Sequence, residues 1–94
     1  MKPRVTICLR ADGELELLIN KEGRNLLVKE LLRLDEKRDH IHLTPKDWGP
    51  AEVELSLSPY RATDKIISSA KILFRTDEWD RAHFPHVLKS GEQA

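Results

Sequence analysis

The chain has one cysteine, four glycines, no excess of either charge and no long apolar run. Cys8 alone can form neither an intramolecular disulfide nor a cysteine-rich zinc site, so a reducing cytosol is the expected compartment. So few glycines leave no Gly-rich loop for a phosphate. Lys plus Arg number 16 and Asp plus Glu number 16, a formal net charge of zero, which argues against a protein that grips nucleic acid or a membrane surface through bulk charge. No segment reaches the roughly 18 consecutive apolar residues of a membrane span, and Met1 to Arg10 lacks the apolar core of a signal peptide. The expectation is a cytoplasmic protein with no nucleic-acid and no membrane partner.

What remains is 94 residues, 39% apolar and 34% charged. That is one domain, 1–94, with a modest core, and a chain of this size leaves enough surface for oligomerisation to stabilise it further. Residues 89–94 are expected to form a disordered tail.

Alternation of Val5, Ile7 and Leu9 with Thr6, Cys8 and Arg10 predicts a strand with one buried face. Ala11–Asp12–Gly13 makes a turn, and Leu15, Leu17 and Ile19 resume the alternation, completing a hairpin. Asn20 is placed to cap a helix, with Glu22 in its first turn. Leu27, Val28, Leu31 and Leu34, with Leu32 beside them, predict its buried stripe, while Lys29, Arg33 and Lys37 lie outward with Glu30 nearby. Gly23 and Asn25 are expected to weaken the start, so that the helix firms up from Leu26 and ends near Arg38.

His40 to Thr44 predicts a third strand, with Ile41 and Leu43 inward and both histidines outward. A loop follows through Trp48 and Pro50, and Val53, Leu55 and Leu57 alternate with Glu52, Glu54, Ser56 and Ser58 in a fourth strand. Lys65 to Arg75 carries apolar residues on both faces, which predicts a bulged or covered fifth strand. Thr76 caps a short helical turn at Asp77 to Asp80. The fold class is therefore α+β: an antiparallel or mixed sheet of about five strands in the order ββαβββ, with one long helix on one face. The helix-free face is expected to expose Thr6, Cys8, Arg10, Glu14, Glu16, His40, His42, Glu52, Glu54, Ser56 and Ser58.

Candidate sites follow from that face. His40 and His42 project together about 6–7 Å apart, a spacing used by strand-borne metal sites, with Glu52 or Glu54 as neighbours, but zinc requires three or four ligands and no third is fixed. His83 and His86 form a second cluster with Asp77, Glu78 and Asp80. Trp48, Tyr60, Trp79 and Phe84 are either partner anchors or plugs at the rim of a small core. Ser68 and Ser69 lack a nucleophile-elbow context, and Cys8 sits mid-strand, so neither an enzyme nor a cofactor is expected.

The run Asn20, Lys21, Glu22, Gly23, the leucine-rich helix, His40–Ile41–His42–Leu43 and Val53–Glu54–Leu55–Ser56–Leu57 resembles immunity protein family 32 of bacterial polymorphic toxin systems. The resemblance covers about residues 20–57 and leaves Pro59 onward unmatched. It implies a small cytoplasmic protein that binds and neutralises a cognate toxin, without cofactor or turnover. The matched residues are Glu22, Gly23, His40, His42 and Glu54. The expected binding surface is the helix-free face with Glu14, Glu16, His40, His42, Glu52, Glu54 and Trp48, whose carboxylates suit a basic toxin surface. Two alternatives stand beside it. One is a homo-oligomeric structural or regulatory module burying Leu18, Ile67 and Leu73; the other is a metal-binding protein using His40 and His42.

Overall fold

A computed structural model describes residues 1–92, with side chains through residue 89. It is an α+β fold with β1 (Val5–Leu9), β2 (Leu15–Ile19), α1 (Lys21–Leu32), β3 (His40–Thr44), β4 (Val53–Glu54), β5 (Lys65–Ile66), β6 (Ala70–Leu73), α2 (Asp77–His83) and α3 (Pro85–Glu92). Helix therefore continues into the stretch expected to fray, and the last two residues of that expected tail lie outside the described ones.

The strands form two small sheets, β2-β1-β5 and β4-β3-β6. They are joined where Leu55, just beyond β4, bridges Val5 in parallel, with the Ser56 amide donating to the Val5 carbonyl at 2.8 Å. Leu55 also donates to Thr44 at 2.9 Å, so this segment lies between β1 and β3. The result is a mixed layer ordered β2-β1-β4-β3-β6, with β5 continuing along the far half of β1.

The hairpin turn depends on Gly13, whose φ of 92° is a conformation side chains resist. The start of α1 is built more tightly. Asn20 Oδ1 accepts hydrogen bonds from the Gly23 amide at 2.7 Å and the Arg4 amide at 2.8 Å, and Asn20 Nδ2 donates to the Lys2 carbonyl at 2.9 Å. One side chain thus caps the helix and holds the chain entering β1. Gly23 is buried there, and a Cβ on it would collide with the Arg4 carbonyl oxygen. The glycine expected to weaken the helix start instead allows it to touch the strand, and the helix begins at Lys21 rather than firming up at Leu26.

That seat sets which face of α1 is buried. Gly23, Leu27 and Glu30 are buried, and Leu26 and Leu34 pack against the core at its margin. Val28 and Leu31 are about half-exposed and Leu32 is 81% exposed, contrary to the leucine stripe expected. Glu30, expected outward, lies on the buried face, where Arg33 and Arg38 reach its carboxylate at 3.4 and 3.5 Å. The helix ends at Leu32, and the turn that follows is held by Asp35 Oδ1, which accepts from the Lys37 and Arg38 amides.

The core comprises Val5, Ile7, Leu27, Ile41, Leu43, Val53 and Leu55, with Ile67, Ala70 and Ile72 at its margin. None comes from β2. Leu15, Leu17 and Ile19 share the helix-side face of Val5 and Ile7, yet remain 62%, 53% and 39% exposed. Leu26 lines a hollow with Pro3, Ala51, Glu52 and Glu54, and α1, although it neighbours β2, leaves these three side chains largely open.

The opposite face is not wholly open. Thr6 and Cys8, expected on its surface, are completely buried. Glu16 and Ile66 flank Cys8 in the ladder, and Arg61 bridges Glu16 to Asp64, whose side chain is only 1% exposed. The connection of residues 59–64 is thereby drawn over this half of the sheet. Ile67, proposed for the same surface, packs on the core side instead.

Two outcomes test this account. Gly23→Ala, normally favourable in a helix by about 1 kcal/mol, should destabilise by about 1–3 kcal/mol through collision with Arg4, and Asn20→Ala by about 1–2 kcal/mol. Denaturant melts of the two variants read both losses. Arg61→Ala should release the strap, so Cys8 should label faster with a thiol reagent in the native state than it does in the parent protein.

Candidate functional site

The sequence splits the histidines into two clusters, but the fold joins them. His40 and His42 stand on the helix-free side of β3 with ring centres 4.9 Å apart, edge to face. Their cross-strand neighbours on β6 are Leu73 and Lys71. His40 Nδ1 lies 2.8 Å from Asp39 Oδ1, and Arg75 reaches the other oxygen of that carboxylate at 3.2 Å. The Arg75 guanidinium sits 4.2 Å over the Trp79 ring, and His83 stacks on Trp79 at 4.2 Å. Phe84 lies 5.6 Å from Trp79 and His86 lies 6.2 Å from Phe84. A continuous ribbon of imidazole, guanidinium and aromatic rings runs from β3 to α3.

Its distal half is carried by an arm. Thr76 Oγ1 accepts from the Trp79 amide at 3.1 Å and starts α2, as the capping pattern predicts. His83 Nδ1 donates back to the Trp79 carbonyl at 2.8 Å, fixing the imidazole against the indole. α2 and α3 pack on each other. The radius of gyration is 15.5 Å, where a compact chain of this length has about 12–13 Å. Arg75 anchors the arm, because it is paired to Asp39 on the body and stacked on Trp79 in the arm.

The electrostatics hold the ribbon in place. The hydrogen bond from His40, reinforced by Arg75, keeps the Asp39 carboxyl below the usual aspartate range. Glu52 Oε1 accepts from the His42 amide at 2.6 Å, satisfying a β3 donor beside the point where β4 pairing starts. That bond, with a smaller contribution from the His42 ring 3.6 Å away, holds Glu52 below its ordinary value.

The remaining expected site residues do not form one acidic patch. Glu14 pairs with Arg10 at 3.9 Å, and Glu16 is shared between Arg10, at 3.6 Å, and Arg61. Glu16 lies on β2 and Glu14 just before it, separated by β1 from Glu52 and Glu54 at β4. Glu54 is exposed and lines a hollow with Thr44, Pro45 and Gly49. Trp48 is 61% exposed in a short 3-10 turn, Lys46–Trp48, and does not join the ribbon. Glu22 is half-buried in the first turn of α1, and Gly23 is a packing residue. Among the described residues no group of three or more His, Cys, Asp and Glu side chains is placed to hold a metal ion, and no helix is long and apolar enough to cross a membrane.

Asp39 and Arg75 were not singled out from the sequence. Their pairing spans 36 residues and follows from β3 lying antiparallel to β6, which no local pattern announces. The chain matches no family model, no curated protein and no solved structure.

The Glu52 carboxylate gives a test with a definite sign. A carboxyl depressed on folding contributes stability that is fully present above its unfolded value and is lost as the pH falls through the folded one. Glu52→Gln keeps an acceptor but loses the charge, so it should cost about 1 kcal/mol at neutral pH. The difference from the parent should shrink as the pH falls below the ordinary glutamate value of about 4.5 and on through the lowered folded one. Thermal melts across the acidic range would show this convergence.

Proposed function

We propose that this chain is a small non-enzymatic binding protein, an immunity protein that neutralises a cognate bacterial toxin by occupying its surface. The observation that carries the reading is the ribbon. Trp and Arg are the residue types that most often dominate binding energy at protein interfaces, and here Trp79 is held between Arg75 and Phe84. Stacking and ion pairing reduce the side-chain entropy that docking would otherwise remove.

The docking surface in this reading is the open half of the helix-free face together with the arm. His40 and His42 remain about half-exposed there, Leu73 is 48% exposed, and Phe84 is 48% exposed on the arm. The strapped half over Cys8 is not part of it. The resemblance of residues 20–57 to immunity protein family 32 supplies the toxin as partner, and a cytoplasmic location accords with that role. Because Glu14 and Glu16 are already engaged by arginines, the partner is recognised by aromatic and hydrogen-bonding contacts rather than by a purely acidic face.

The test is a toxin encoded beside the gene. Co-expression should rescue cells from it, and calorimetry should register a direct complex. Trp79→Ala and His42→Ala should each weaken that complex at least tenfold, whereas Leu32→Ala, on the outward side of α1, should leave it unchanged. Absence of both rescue and complex formation would reject the reading.

A further inference from the structure

We propose that the open edge of β2 pairs with the same edge of a second copy of this chain, antiparallel about a two-fold axis through Leu17. β2 is an edge strand, with β1 as its only ladder partner among the described residues. The Arg10 amide donates to the Glu14 carbonyl at 2.8 Å and the Asn20 amide to the Arg4 carbonyl at 3.1 Å. Antiparallel alternation then turns the backbone groups of Glu14, Glu16, Leu18 and Asn20 toward β1 and those of Leu15, Leu17 and Ile19 outward.

Edges of this kind are usually protected by proline, a bulge or a charged side chain. β2 reads Leu-Glu-Leu-Leu-Ile, and its one charge, Glu16, is already paired with Arg10 and Arg61. The three outward residues also carry the half-exposed side chains that α1 fails to cover. Val28 and Leu31, 50% and 44% exposed, lie on the flank of α1 turned away from Leu26, and α1 has β2 as its neighbour in space.

Charge and backbone geometry select the register. With Leu17 opposite Leu17 of the second copy, Leu15 faces Ile19 and Glu16 faces Leu18. Every outward amide and carbonyl of Leu15, Leu17 and Ile19 is then paired, and no like charges meet. Centring the pair on Glu16 would oppose two carboxylates, and centring it on Leu18 would set Leu15 against Lys21. The five half-exposed apolar side chains would bury about half of the ~800 Å² that a standard interface covers per partner. The product is a concentration-dependent dimer. Since β2 and β6 are opposite ends of the sheet order, the ribbon stays free in each copy.

Sedimentation over the micromolar to sub-millimolar range should show a mass rising from 10.9 kDa toward twice that value. Leu17→Lys sets two ammonium groups on the axis and should weaken association at least tenfold while leaving the circular dichroism spectrum unchanged. Leu17→Cys should form an interchain disulfide on mild oxidation, with Cys8 remaining reduced because it is buried. Leu73→Lys, on the helix-free face, should have no effect. A monomer throughout that range, a dimer insensitive to Leu17→Lys, or a dimer lost in Leu73→Lys would each overturn the proposal.

Discussion

Asn20 and Gly23 set the geometry on which the rest of the molecule depends. Asn20 serves the first turn of α1 and the chain entering β1 with one side chain, and Gly23 lets the helix backbone approach the Arg4 carbonyl. With the helix seated at its first turn, its path over the sheet is decided. Leu27 meets the core, Glu30 is carried inward to Arg33 and Arg38, and the leucines at positions 31 and 32 are left outside. A small core can be closed this way because close backbone approach replaces side-chain volume that a short chain does not have.

Elements governed by near neighbours were legible in the amino-acid order. The Gly13 turn, the Asn20 and Thr76 caps and the inward Ile41 and Leu43 all depend on contacts within a few residues. What the amino-acid order concealed has one cause. The exposure of Leu15 and Leu17 depends on where α1 lies, and the burial of Thr6 and Cys8 depends on Arg61 reaching Glu16, 45 residues away. The fourth strand, expected to run to Ser58, is reduced to Val53–Glu54 plus the Leu55 bridge because the chain then departs toward the strap. The fifth breaks into β5 and β6, which serve different sheets, and that is the physical origin of its apolar residues on both faces.

The candidate site was legible as residue types and not as a site. Both histidine clusters and the tail aromatics stand out by composition, whereas the Asp39–Arg75 pair that unites them does not. The four expected glutamates illustrate the converse: an outward carboxylate on a strand is available for recognition only if no arginine or amide claims it, and three of these are claimed. Charge counted along a chain therefore overstates the field a partner would meet.

The parallel bridge between Val5 and Leu55 has a consequence for the order in which the molecule is made. The hairpin and α1 are complete within the first third of the chain, but the inner side of β1 has no neighbour until a segment fifty positions downstream arrives. On the ribosome, that row of unpaired amides and carbonyls is exposed while the middle of the chain is still being synthesised. Closure of the layer is consequently a late, long-range event, and the nascent first half is the species most in need of protection from self-association.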